Sequence, residues 1–97
     1  MYEDAKQVAA LMGLLSNAHR LLILCTLLEG PKTVGQISMA VPDISAPALS
    51  QHLHKLRDAK LICAEKQGQY IQYSILDKRL KDLIDLLRRE YCTDYHV

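Results

Sequence analysis

Ser45-Ala46-Pro47-Ala48-Leu49-Ser50-Gln51-His52-Leu53-His54-Lys55-Leu56-Arg57 is the stretch on which the reading of this chain turns. Ser45 is a residue type that caps a helix with its hydroxyl, and Pro47 is tolerated in a first turn, where its missing N–H is not needed. Leu49, Leu53 and Leu56 then recur at i, i+4 and i+7, one apolar stripe on a helix from residue 46 to about 60. With that stripe turned inward, the opposite face presents Pro47, Gln51, His54 and Asp58, flanked by Ser50 and Lys55. A polar outer face is ordinarily just solvated, so this helix alone does not define a function. His52 falls beside the leucines, the place of a hydrogen-bonded histidine at the edge of a core.

The neighbours of the stretch change its meaning. Upstream, Thr33 can cap a short helix over residues 34 to about 40, with Val34, Ile37 and Ala40 or Val41 facing inward, and Pro42-Asp43 breaks it. Downstream, residues 61–66 and 70–76 are short runs with strand character, separated by Gln67-Gly68-Gln69. Ile71, Tyr73 and Ile75 alternate with Gln72 and Ser74, as in a half-buried hairpin strand. Two short helices joined by a tight turn and followed by a hairpin form the plan of a winged helix-turn-helix.

In that plan the second helix enters the major groove of DNA. Gln51 can pair with adenine, Ser50 can reach a base or a phosphate, and His54 and Lys55 suit guanine or phosphate. Ser45, Pro47 and the wing residues Lys66 and Gln69 would assist. From Ser45 to Lys66 the bases Lys55, Arg57, Lys60 and Lys66 outnumber Asp58 and Glu65, a modest local excess. The net charge of the whole chain, +1, indicates no partner.

Further out, residues 18–28 follow the capping pair Ser16-Asn17 and are apolar nearly all round, which predicts a buried central helix ended by Gly30-Pro31. The terminal segments, residues 3–15 and 77–92, each carry one stripe: Val8, Leu11, Met12 and Leu15 in the first, Leu80, Leu83, Ile84, Leu87 and Tyr91 in the last. Asp77 is placed to cap the last helix, and Arg88-Arg89 suit the negative end of its dipole. The expectation is a mainly α fold with a small β-hairpin, in the order α-α-α-α-β-β-α. A single domain spans residues 1–97. A chain of 97 residues struggles to cover both terminal stripes, so those residues read as a homodimer interface.

Composition narrows the class. The chain is 49% hydrophobic and 24% charged, ordinary for a globular domain, and it lacks Trp and Phe. No apolar run is long enough to span a bilayer, and the acidic start Met1-Tyr2-Glu3-Asp4 is unlike a secretory signal, which points to the cytoplasm and no membrane partner. Three cysteines, an odd number, argue against a disulfide scaffold. No nucleophile–base pairing or Gly-rich phosphate loop is present, so catalysis is not expected.

The sequence resembles the ArsR/SmtB family of bacterial regulators over nearly its whole length. The stretch from Ser45 to Arg57 with Leu61-Ile62 is similar to that family's recognition helix. Asn17-Ala18-His19-Arg20-Leu21-Leu22-Ile23-Leu24 is similar to its second helix, and Tyr70-Ile71-Gln72-Tyr73-Ser74-Ile75 to its wing. The resemblance implies a homodimer on an inverted-repeat operator in double-stranded DNA, released by an inducer. The family's thiolate metal site is missing: Val34-Gly35-Gln36-Ile37-Ser38-Met39 holds no cysteine. For a site on the last helix, Asp82 and Asp85 have only His96 beyond the helix to join them, a poor tetrahedral set. Neither a metal nor another cofactor is therefore expected.

Cys25 and Cys92 are placed as in the BigR, SqrR and HlyU-like subgroup. There, one cysteine on the second helix and one ending the last helix form a dithiol switch that reactive sulfur species or oxidants close, lowering DNA affinity. Cys92, next to Arg88 and Arg89, is better placed than Cys25 to form the reactive thiolate. A lone Cys25 in a leucine-rich helix would read as core packing, and it is the matching position of Cys92 that favours the switch; Cys63 reads as packing. Two other readings stay open: a metal sensor using Cys63, Cys92 or His96, and a winged helix that docks proteins instead of DNA.

Overall fold

The computed structural model describes residues 1–92. Five helices and three short strands follow one another as α1 (Tyr2–Leu15), α2 (Ala18–Leu28), β1 (Lys32–Thr33), α3 (Val34–Ala40), α4 (Ala46–Asp58), β2 (Ile62–Gln67), β3 (Tyr70–Ile75) and α5 (Arg79–Tyr91). The starts of α2, α3 and α4 are set by side-chain caps. Asn17 accepts from the Arg20 N–H at 3.1 Å, and Ser45 from that of Ala48 at 3.2 Å. Thr33 and Gln36 form a reciprocal capping box. No single helix is long and apolar enough to cross a membrane among the described residues; α1 and α2 together would be, but they meet at a 93° bend.

The core lies between α2, α4, the sheet and the inner edge of α5. Ile23, Leu24, Ile37 and Leu56 are wholly buried, with Leu49, Leu53, Ile62, Leu80 and Ile84 packed around them. Strand β3 is central in the sheet, antiparallel to both β1 and β2. Gln67 pairs with Tyr70 across a two-residue loop, with Gly68 at φ +64° in its first position, a backbone state that favours glycine.

Several expectations need correction. Strand β1, paired only through Lys32 and Thr33, had no signal in the sequence. The inward residues of α3 are Ile37 and Val41; Val34 is exposed, because it occupies the first turn beside the cap. Helix α2 is not buried all round: its outer side leaves Leu22 exposed and Cys25 half-buried. Leu15, Leu80 and Ile84, expected at a subunit interface, are buried in the chain's own core. Ile71 is half exposed because it lies near the wing tip, beyond the reach of the core. Asp77 precedes the capping position, yet its carboxylate accepts from the Arg79 N–H at 3.1 Å and from the Arg79 guanidinium at 2.9 and 2.8 Å. That bond holds the Asp77 carboxyl below its usual range.

Helix α4 stops at Asp58, earlier than its pattern suggests, because the chain reverses at Lys60 with φ +62°. The Lys60 N–H donates to the Arg57 carbonyl at 2.9 Å and the Leu61 N–H to that of Leu56 at 3.1 Å, closing the helix end in a position usually held by glycine. A lysine in this left-handed state is strained. Lys60→Gly should therefore stabilise the fold by about 1 kcal/mol in urea unfolding, and a loss of stability would contradict this account of the helix end.

Candidate nucleic-acid interface and cysteine pair

The leucine stripe of α4 fixes what the helix shows to solvent. Leu49, Leu53 and Leu56 face α2 and β2, so Ser50, Gln51, His54, Lys55 and Asp58 border one open, shallow hollow on the outer surface. All five are exposed, and the side chains of the first four make no hydrogen bond or ion pair among the described residues. Ser45 is committed to capping through its oxygen, but its hydroxyl proton remains available to an acceptor. Pro47 is exposed in the first turn of α4.

The hairpin projects away from the core. Lys66 and Gln69 are exposed there, as expected. Tyr70 and Ile71 are exposed as well, and the alternation of the strand concealed this. Their closeness to Gly68 was the available signal, since residues beside a hairpin loop outrun the layer that would cover them.

His52 sits at the edge of this face. Its Nδ1 lies 3.5 Å from an Arg20 guanidinium nitrogen, and its ring meets that of His19 edge-on with centroids 5.9 Å apart. Burial, then the charge of Arg20, then His19 and Lys55 push its pKa below the usual histidine value of 6.5.

Cys25 looks out from α2 toward the end of α5. Its thiol lies within electrostatic range of Arg88 and Cys92. Burial raises the Cys25 pKa above 9.0, the Arg88 charge opposes that rise, and Cys92, Glu29 and Asp85 add to it. Cys92 is exposed, with its N–H bonded to the Arg88 carbonyl at 3.0 Å. Cys63 is half-buried on the hairpin, its Sγ 3.3 Å from the Ser74 hydroxyl across the strands. Among the described residues no group of three or more His, Cys, Asp or Glu gathers closely enough to hold a metal, and Asp85 is paired with Lys81 at 2.6 Å. His96 lies outside the described residues.

A helix-turn-helix with an outward polar second helix, backed by a sheet whose hairpin projects as a wing, defines a winged-helix DNA-binding protein. Residues 17–63 match the bacterial regulatory proteins of the arsR family. The chain is 36% identical to the transcriptional activator HlyU of Vibrio cholerae, over 95% of its own length and 84% of that protein. The structure of reduced HlyU covers 96% of this chain and 97% of its own, with a TM-score of 0.85 and 35% identity. The transcriptional repressor BigR of Xylella fastidiosa gives a TM-score of 0.87 at 31% identity, with 96% of this chain and 94% of that one covered. A winged helix-turn-helix DNA-binding domain from Mycobacterium bovis, solved as a homodimer, gives 0.78 at 26% identity, covering 99% and 91%. The chain belongs to the ArsR family of bacterial transcriptional regulators.

The difference in burial between the two thiols is directly measurable. In the reduced protein at about pH 8, a small alkylating reagent should label Cys92 at least about tenfold faster than Cys25, read by mass spectrometry of the digest. Equal rates would contradict the placement of Cys25.

Proposed function

We propose that this chain is a cytoplasmic, non-catalytic, homodimeric repressor whose affinity for an inverted-repeat operator is lowered when Cys25 and Cys92 are joined. The observation that carries the switch is the shared neighbourhood of Cys25, Arg88 and Cys92, which links a core helix to the last helix. Support for the dimer comes from what the core leaves uncovered. Leu15 is the only buried residue of α1, while Val8, Met12, Leu22, Leu86 and Tyr91 are exposed on α1, α2 and α5. Leu11, Leu83 and Leu87 are half covered. A helix of this length is marginal in water without a surface to pack against, and a second copy of the same faces provides one. Leu22 and Leu86 join the expected interface residues; Leu86 lies off the apolar stripe of α5, and Leu22 is one of an unbroken apolar run.

The chemistry balances with either class of inducer. With a peroxide, the Cys92 thiolate is oxidised to a sulfenic acid, and the Cys25 thiol condenses with it, releasing water and leaving a disulfide. With a persulfide donor, Cys92 takes the outer sulfur and releases a thiolate. A second persulfide then accepts the two electrons as Cys25 closes a trisulfide, leaving a thiol and hydrogen sulfide. Cys25 acts second in both routes because burial keeps it protonated. A link across α2 and α5 changes the spacing of the two α4 helices in a dimer, and half-sites fixed one turn apart do not follow.

The roles on α4 separate by salt and by sequence. Gln51→Ala should relax base preference at one operator position, costing about 1–3 kcal/mol. Lys55→Ala should weaken binding to every sequence alike and reduce the salt slope by about one unit. Identical losses and identical slopes for both would reject these assignments. For the switch, gel-shift titrations on the DNA upstream of the coding sequence should show tight binding when reduced and weaker binding after a persulfide donor or peroxide. Cys25→Ser should bind when reduced and ignore both reagents. A Cys25→Ser protein that still responds would leave the DNA-binding assignment standing and remove the dithiol.

A further inference from the structure

Arg20 joins three helices that the proposed function treats separately. Its backbone is pinned in the first turn of α2 by the Asn17 cap. From there its guanidinium donates to two carbonyls at the end of α1, from Nε to Leu14 at 2.7 Å and from Nη2 to Gly13 at 3.2 Å. The Gly13 carbonyl also accepts from the Ser16 hydroxyl at 2.7 Å and the Ser16 N–H at 3.3 Å, and α1 has no basic residue in its last turn, so Arg20 adds the charged donor at this helix end. The remaining nitrogen, Nη1, reaches Nδ1 of His52 on α4 at 3.5 Å. One side chain thus spans the end of α1, the start of α2 and the flank of the DNA-facing helix.

We propose that Arg20 is a positioning residue that couples α1 to α4, and that it does so only while His52 is neutral. A guanidinium has no acceptor and stays charged, so the bond requires a lone pair on Nδ1, which places the His52 proton on Nε2. A second proton on His52 would set an N–H against an N–H and a positive ring against a positive fork. The groups that face His52 all favour the neutral form: Arg20 and His19 from α2, and Lys55 from the next turn of α4. None of them is a carboxylate that would hold the imidazolium.

The direction with pH follows. The folded protein resists protonation of His52 more than the unfolded chain does. Stability is therefore complete above the ordinary value of 6.5 and is lost as pH falls from there toward the depressed folded value. Gln51 and Leu53 flank His52 in the chain, so a shift there moves both a DNA-facing side chain and a core leucine. The inference rests on α4 being the DNA-contacting helix, and its test has an arm that needs no DNA.

The experiment uses the full reduced chain and three variants: Arg20→Gln, Arg20→Lys and His52→Asn. Asparagine offers Oδ1 roughly where Nδ1 stood and does not titrate. Nitrogen-detected NMR of the imidazoles, from about pH 8 to about pH 5, should show His52 as the Nε2–H tautomer, titrating below the ordinary histidine value of 6.5. In Arg20→Gln the His52 midpoint should rise. Operator affinity of the wild type should fall about three- to tenfold more than that of His52→Asn between about pH 8 and about pH 5.5. Arg20→Lys, which keeps the charge but not the fork, should bind weakly at both.

A His52 midpoint unchanged by Arg20→Gln would overturn the contact, and a His52→Asn protein with wild-type pH dependence would overturn the coupling. If the Arg20 variants do not fold, the His52→Asn comparison still decides. If the wild type binds no DNA at about pH 8, the regulator reading fails, while the NMR titration continues to judge the Arg20–His52 contact.

Discussion

The seating of α4 by one stripe of leucines is the constraint on which the rest depends. Leu49, Leu53 and Leu56 are each no more than 3% exposed. Burying a leucine side chain contributes roughly 1.5–3 kcal/mol, so the three together rival the whole stability of a small domain, about 5–15 kcal/mol. Rotating the helix by even one residue would bring a polar side chain into that seat. The outward direction of Ser50, Gln51, His54 and Lys55 is therefore as secure as the fold itself, and nothing on that face has to be held by a dedicated interaction.

The elements legible in the sequence are those whose own side chains announce them. The stripe and the Ser45 cap marked α4, the Thr33 cap and Pro42-Asp43 bounded α3, and the Gly68 loop marked the hairpin. Strand β1 was silent because it consists of backbone pairing to β3 at Lys32 and Thr33, which no side-chain pattern encodes. Periodicity also shows that a face is apolar without showing what covers it. That is why Leu80 and Ile84, on the same stripe of α5 as Leu83 and Leu87, could not be told apart from them: the first pair fills the core and the second lies at its margin. The role of Arg20 has no signal in the sequence, since its partners are carbonyls of Gly13 and Leu14 and one distant histidine.

Helix α2 carries the structure's internal logic. It packs on α1, α3, α4 and the sheet, and its inner residues Ile23 and Leu24 are wholly buried. Its outer side, with exposed Leu22 and half-buried Cys25, was masked in the sequence by an unbroken apolar run. The mask has a physical origin. A helix that supports neighbours on several sides is apolar on most of its circumference, and one further apolar face adds no contrast to the pattern.

A core this thin also limits how a signal can enter. An open groove between α1 and α5 is lined in part by Leu11, Leu14, Leu80 and Leu83, and in the proposed dimer it lies on the face left for another copy. In the proposed dimer, a ligand lodged there would compete with the second copy. A covalent bond and a proton need no pocket. The first acts wherever two thiols approach, the second wherever a lone pair already holds a charged partner. Cys25 and Arg20 stand on the same helix, one looking to the end of α5 and the other to the end of α1. Ile23 and Leu24 lie between them on the helix, wholly buried in the core that also seats α4, so the two proposed inputs share one packed element.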